Sequence, residues 1–209
     1  MNGTKPNKFT LLIAVICWFT VILQGVLILQ NRVTTVVETI IRFFTFFTIL
    51  TNILVAITFT VIWMQPKNRW SFFLKPNIQT AIAVYIFVVG FVYNIILRFL
   101  WQPQGLQKVV DELLHTAIPI IYILYWYLKT SKESIFFKNV FGWLIYPILY
   151  LIVILIRGCY SNYYPYPFVN VTEIGIQKVI FNVIYLTMFF GIISIAFVGL
   201  SKYSRRRDK

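Results

Sequence analysis

Charge is scarce in this chain of 209 residues: 12% of it is Asp, Glu, Lys or Arg, only six residues are acidic, and His115 is the one histidine. A soluble domain carries about 25% charged residues, so an ordinary domain folded in water is excluded. One histidine and two cysteines fall short of the ligand sets that catalytic zinc usually takes. EXXH (Glu112–His115) occurs once, whereas a di-iron bundle needs it twice. No metal and no cofactor are therefore expected. Cys17 lies inside the first apolar block and Cys159 at the far end of the fifth, depths too different for a disulfide. A GxSxG serine, a P-loop and a dinucleotide fingerprint are also missing.

Apolar residues are what the chain has. Hydrophobic residues make up 59% and aromatics 19%, and mean hydropathy is +0.79. They fall in blocks of the length, about 20 residues, that crosses a bilayer as a helix. Six blocks are read as spans: 9–30, 39–64, 78–101, 109–128, 140–157 and 177–200. The first is too long for a signal-peptide core and has no small-residue cleavage site, so it is expected to remain as a helix. The expected fold is an all-α integral membrane protein, one polytopic domain of six transmembrane helices over residues 1–209.

The net charge of +13 does not point to nucleic acid, because its placement follows the membrane. Lys5, Lys8, Lys67, Arg69, Lys75, Lys129, Lys132, Lys138, Lys202, Arg205, Arg206, Arg207 and Lys209 fall on one side if six spans alternate. Only Arg32, Arg42, Arg98, Lys108, Arg157 and Lys178 fall on the other. By the positive-inside rule both termini are cytoplasmic and the chain is a multi-pass protein of a plasma membrane. The tail SKYSRRRDK is explained by topology and by contact with anionic lipid headgroups. Membrane lipids are the expected partners.

Polar residues inside the spans are costly and need a reason. On the second block, read as one helix, Glu38, Arg42, Thr45, Thr48 and Asn52 share a face at about 100° per residue. Glu38 and Arg42 are four apart in the order that suits an ion pair. The third carries Gly90, Asn94 and Arg98 on one stripe. Arg98 either snorkels outward or pairs with Asp111, Glu112 or Glu173. The fourth opens VVDELLHTAIP: Asp111 and His115 are one turn apart, and Pro119 should weaken or kink the helix further in. Arg157 on the fifth and Asn182 on the sixth fall near the same outer end, where a loop rich in Tyr and Pro (RGCYSNYYPYPFVNVTE) can cap the bundle or form an aromatic belt. These helices are expected to point polar groups into one outer-leaflet pocket.

A hydroxyl beside an imidazole is the chemistry such a pocket offers. Threonine becomes a nucleophile when a general base adjoins it, and histidine is the side chain that titrates near neutrality. Asp111 or Glu112 can orient the ring. Arg98, Asn52, Asn94 or Asn182 can stabilise an oxyanion.

FFTILTN on the second span, DELLHT opening the fourth and RG…YPYPF after the fifth, in a six-span chain with both ends inside, resemble the FAR-17a/androgen-induced protein-like family. The chain looks like a bacterial member of it over nearly its whole length. Animal members are threonine hydrolases of fatty acid esters of hydroxy fatty acids. The resemblance implies Thr48 as nucleophile and His115 as its base, with Thr45 on the adjacent part of the face as the competing choice. A hydrophobic ester is then the implied substrate class. The alternative is a non-enzymatic six-span protein, a small transporter or a lipid-binding or structural partner, in which the same charges form a structural network.

Overall fold

The computed structural model describes residues 8–207; Lys5 and Lys209, counted above for topology, lie outside them. No strand occurs among the described residues, and six helices are long and apolar enough to cross a membrane. The protein is an all-α polytopic membrane protein. The chain divides into two compact units, one ending at Ser131 and the other beginning at Lys132.

The first unit holds α1 (Lys8–Gln30), α2 (Val36–Thr45), α3 (Phe47–Met64), α4 (Pro76–Ile95), α5 (Gly105–Glu112), a π-helical turn (Leu113–Ala117) and α6 (Ile118–Lys129). α1 packs along α3, and α4 packs against both α3 and α6. Lipid offers no hydrophobic drive between helices, so small residues that allow close approach take its place. Ala56, Ala83 and Cys17 are fully buried at these contacts. Polar bridges tie α1 on: Trp18 Nε1 donates to Thr60 Oγ1 at 3.1 Å and Gln107 Nε2 to Gln24 Oε1 at 2.8 Å. Such interhelical bonds average about 0.6 kcal/mol each.

Two spans depart from regular helix. The second does not run unbroken from residue 39; it is interrupted at Phe46, whose ψ of 122° is extended. No proline or glycine is responsible. Thr45 Oγ1 donates to the Arg42 carbonyl at 2.6 Å, the acceptor that the Phe46 N–H would use in an α-helix. The Phe46 N–H turns instead to Phe43, at 3.4 Å, and the last turn tightens. Back-bonding threonines bend helices in this way, and the surrounding Phe and Thr residues are weak helix formers. The single polar stripe from Glu38 to Asn52 is therefore split between two helices.

In the fourth span, Pro119 produces a widened turn rather than a simple kink. Proline lacks the N–H that would bond to His115, and its ring presses on that carbonyl. One extra residue is accommodated just upstream, with the Ile118 N–H bonding back to Leu113. The chain then resumes as α6, which places His115 at the centre of a π turn.

The second unit is a pair of packed helices, α7 (Asn139–Ser161) and α9 (Ile176–Arg207), with the short α8 (Val171–Ile174) in their connection. The Tyr- and Pro-rich segment lies against its own helices. Val169 is buried with Leu151 and Ile154, Asn182 Nδ2 donates to the Phe168 carbonyl at 2.8 Å, and Tyr164 covers Gly158 so closely that a Cβ there would overlap its ring.

Candidate functional site

His115 is the centre of the polar cluster in the first unit, and the backbone around it explains how it is held. The π turn redirects the Ile118 N–H to Leu113, so the Leu114 carbonyl loses its α-helical donor. Pro119 leaves the next carbonyl, that of His115, without one as well. Two consecutive acceptors left unmet would be expensive in a membrane. Each is met by an asparagine from a neighbouring helix: Asn52 Nδ2 of α3 lies 3.2 Å from the Leu114 oxygen, and Asn94 Nδ2 of α4 lies 3.2 Å from the His115 oxygen. Gly90 makes the second contact possible, because a Cβ there would sit 3.1 Å from the His115 oxygen and 3.3 Å from Pro119.

The imidazole is fixed on three sides. Nδ1 lies 2.9 Å from the Asp111 carbonyl oxygen and 3.3 Å from Asp111 Oδ1. Tyr93 stacks on the ring, with centroids 4.0 Å apart and planes 15° from parallel, and its hydroxyl donates to Asp111 Oδ2. Two acceptors facing Nδ1 select the tautomer with the proton there. In the neutral ring Nε2 is then the lone-pair acceptor, and it has no hydrogen-bond partner among the described residues.

Arg98 pairs with Glu112 at 2.6 Å, one of the pairings open to it in the sequence. Thr116 Oγ1 joins them, 3.0 Å from Glu112 Oε2 and 3.3 Å from Arg98 Nη2. The guanidinium also sits over the Tyr93 ring at 5.4 Å. Both charged side chains are about two-fifths exposed, whereas Asp111 is buried and His115 is largely covered, with its side chain 12% exposed. On the adjoining element, Arg42 and Glu38 form the expected pair at 2.8 Å.

Thr48 is the second residue of α3, just after the break, and is 7% exposed. Its carbonyl accepts from Asn52 Nδ2 at 2.9 Å, the same nitrogen that meets Leu114. One amide thus spans the turn carrying Thr48 and the turn carrying His115. No hydrogen bond joins the Thr48 hydroxyl to His115. Thr45 is buried too, with its hydroxyl directed to Arg42 on its own helix.

The Asn52 donors go to carbonyls, and those of Asn94 go to the carbonyls of Gly90 and His115, with the Thr116 hydroxyl at 3.5 Å. With its donors so placed, the Asn52 amide leaves its carbonyl oxygen buried and without a hydrogen-bond partner among the described residues, as is the Thr51 hydroxyl. Arg157 and Asn182 belong to the second unit. Arg157 donates to Ser161 at 3.2 Å and lies over Tyr163, and Asn182 holds Phe168. Among the described residues no three His, Cys, Asp or Glu side chains gather as metal ligands.

Tyr93 and Thr116 were not anticipated. Thr116 had a signal, being four residues beyond Glu112; Tyr93 had none, since it reaches Asp111 across a helix-to-helix connection. Compared with protein-family models, curated proteins and solved structures, the chain matches none of them.

Proposed function

We propose that this integral membrane protein is an intramembrane lipid ester hydrolase in which Thr48 is the nucleophile and His115 its general base, as in the FAR-17a/androgen-induced protein-like family that it resembles. The observation that carries the reading is the held imidazole: Nδ1 is committed to Asp111 and Nε2 is left open as an acceptor. A base oriented through its far nitrogen by a carboxylate is the arrangement that general-base catalysis of acyl transfer requires.

In this mechanism the Thr48 hydroxyl attacks the ester carbonyl as its proton passes to His115 Nε2. The C–O bond to the alcohol breaks, the alcohol takes that proton, and an acyl-threonine remains. Water then gives a proton to Nε2 and attacks the acyl carbon, releasing the fatty acid and restoring the threonine. Thr48 opens α3, so the positive end of that helix favours the oxyanion. The amide donors of Asn52 and Asn94 are engaged elsewhere, and in this reading they hold the two helices in register. The substrate class is a hydrophobic acyl ester entering laterally from the leaflet. The distribution of Lys and Arg supports cytoplasmic termini, and in this reading the site faces the outer leaflet.

A non-enzymatic role, with polar groups that only tie helices together, draws support from the same asparagines and from the absence of a Thr48–His115 hydrogen bond. Hydrolysis of a fluorogenic long-chain ester, 4-methylumbelliferyl oleate, by protein reconstituted in liposomes separates the two. Loss of the base is expected to lower turnover by about 10²-fold or more in His115→Ala, and Thr48→Ala should fall to background. A folded wild-type protein with no turnover, or a His115→Ala variant as active as wild type, favours the non-enzymatic reading.

A further inference from the structure

The basic residues at one end of the second unit are not arranged as a loose tail. Arg205, near the end of α9, donates to the carbonyls of Glu133 and Ile135 at 3.2 and 3.3 Å. Its guanidinium lies 5.6 Å from the centre of the Phe136 ring. The segment leading into α7 is thereby folded against the last turns of α9. That fold seats two lysines on adjacent rings: Lys202 Nζ is 4.0 Å from the centre of Phe137 and Lys138 Nζ is 5.8 Å from that of Phe136. Both lysines are exposed, and both phenylalanines are nearly half exposed. Arg206 and Arg207 follow one turn on, and the positive end of the α7 dipole begins beside Lys138.

We propose that Lys138, Lys202 and the Arg205-pinned turn form a binding site for the headgroup of an anionic phospholipid. The chemistry selects that ligand over others. Two ammonium groups, each within 6 Å of a ring centre on consecutive residues, offer cations to a phosphodiester, and the exposed parts of Phe136 and Phe137 offer apolar surface for the acyl chains. A free phosphate would use the charges and waste the rings. The site does not depend on the hydrolase reading.

The test uses the full chain in detergent, examined by native mass spectrometry with equal amounts of dioleoyl phosphatidylglycerol and dioleoyl phosphatidylcholine. A basic residue near an anionic surface contributes about fivefold in affinity. The wild type should retain phosphatidylglycerol in clear preference, and Lys138→Gln/Lys202→Gln should weaken that binding by about tenfold or more. Arg206→Gln/Arg207→Gln removes the same charge from the tail and should weaken it less. Inorganic phosphate at millimolar concentration should not displace the lipid, whereas added sodium chloride should weaken its retention in the wild type. Equal retention of the two lipids, equal losses in the two double variants, displacement by phosphate, or indifference to salt would each overturn the proposal.

Discussion

Asn94 on α4 donates to the carbonyl of His115, the carbonyl that Pro119 leaves without a partner. A side-chain amide on one helix thus replaces a backbone N–H missing from another, and the replacement fixes the height of the histidine relative to α4. Asn52 does the same for Leu114 from α3. The two amides hold the π turn from two neighbouring helices.

That substitution has a measurable signature. Asn94→Ala is expected to cost about 1 kcal/mol of stability, in the range found for interhelical bonds in membranes. In a Pro119→Ala background the new backbone N–H can serve the His115 carbonyl, so the same Asn94→Ala change should cost less. Unfolding free energies of the four proteins form a double-mutant cycle. Equal costs in both backgrounds would mean that Asn94 and Pro119 are not coupled through His115.

Gly90 sets how near α4 can come. An added Cβ would stand 3.1 Å from the His115 oxygen, so Gly90→Ala should push the helices apart and lengthen the Asn94–His115 bond. A stability loss of about 1–3 kcal/mol is expected, as for other overpacked contacts. Gly142→Ala on α7, where the new methyl meets nothing within 4 Å, serves as the control and should fold with unchanged stability. A Gly90→Ala protein as stable as the Gly142→Ala control would show that the close approach is not needed.

The tautomer of His115 can be read directly, because the chain has one histidine and a labelled sample gives one imidazole. Nitrogen-15 chemical shifts of the neutral ring are expected to show the proton on Nδ1. Asp111→Leu removes one of the two acceptors facing Nδ1 and should let the Nε2–H form appear. A wild-type ring protonated at Nε2 would remove the base from the proposed mechanism.

The fold was legible because lipid imposes lengths. Blocks of apolar residues must be helices there, and all six spans are found; the second begins at Phe47 instead of residue 39 and the sixth runs on to Arg207 instead of residue 200, while the other four lie close to the bounds read from hydropathy. The Glu38–Arg42 and Asp111–His115 pairs were legible too, since helical spacing alone brings them together. What escaped was the departure from regular helix. The break at Phe46 has no proline or glycine to mark it; it arises from the competition between the Thr45 hydroxyl and the Phe46 N–H for one carbonyl. The roles of Asn52 and Asn94 depend on which carbonyls the π turn exposes. Spacing cannot show that, and both residues therefore read as free donors in a pocket. Tyr93 meets Asp111 only after α4 and α5 have packed.

Activation of Thr48 by His115, as proposed, would make the threonine reactive towards a covalent probe. Purified protein is treated with a fluorophosphonate probe and any adduct is mapped by mass spectrometry. An adduct is expected on Thr48 that disappears in Thr48→Ala and is strongly reduced in His115→Ala, with both variants still folded. An adduct on Thr45 instead, or no adduct on well-folded wild-type protein, would contradict it.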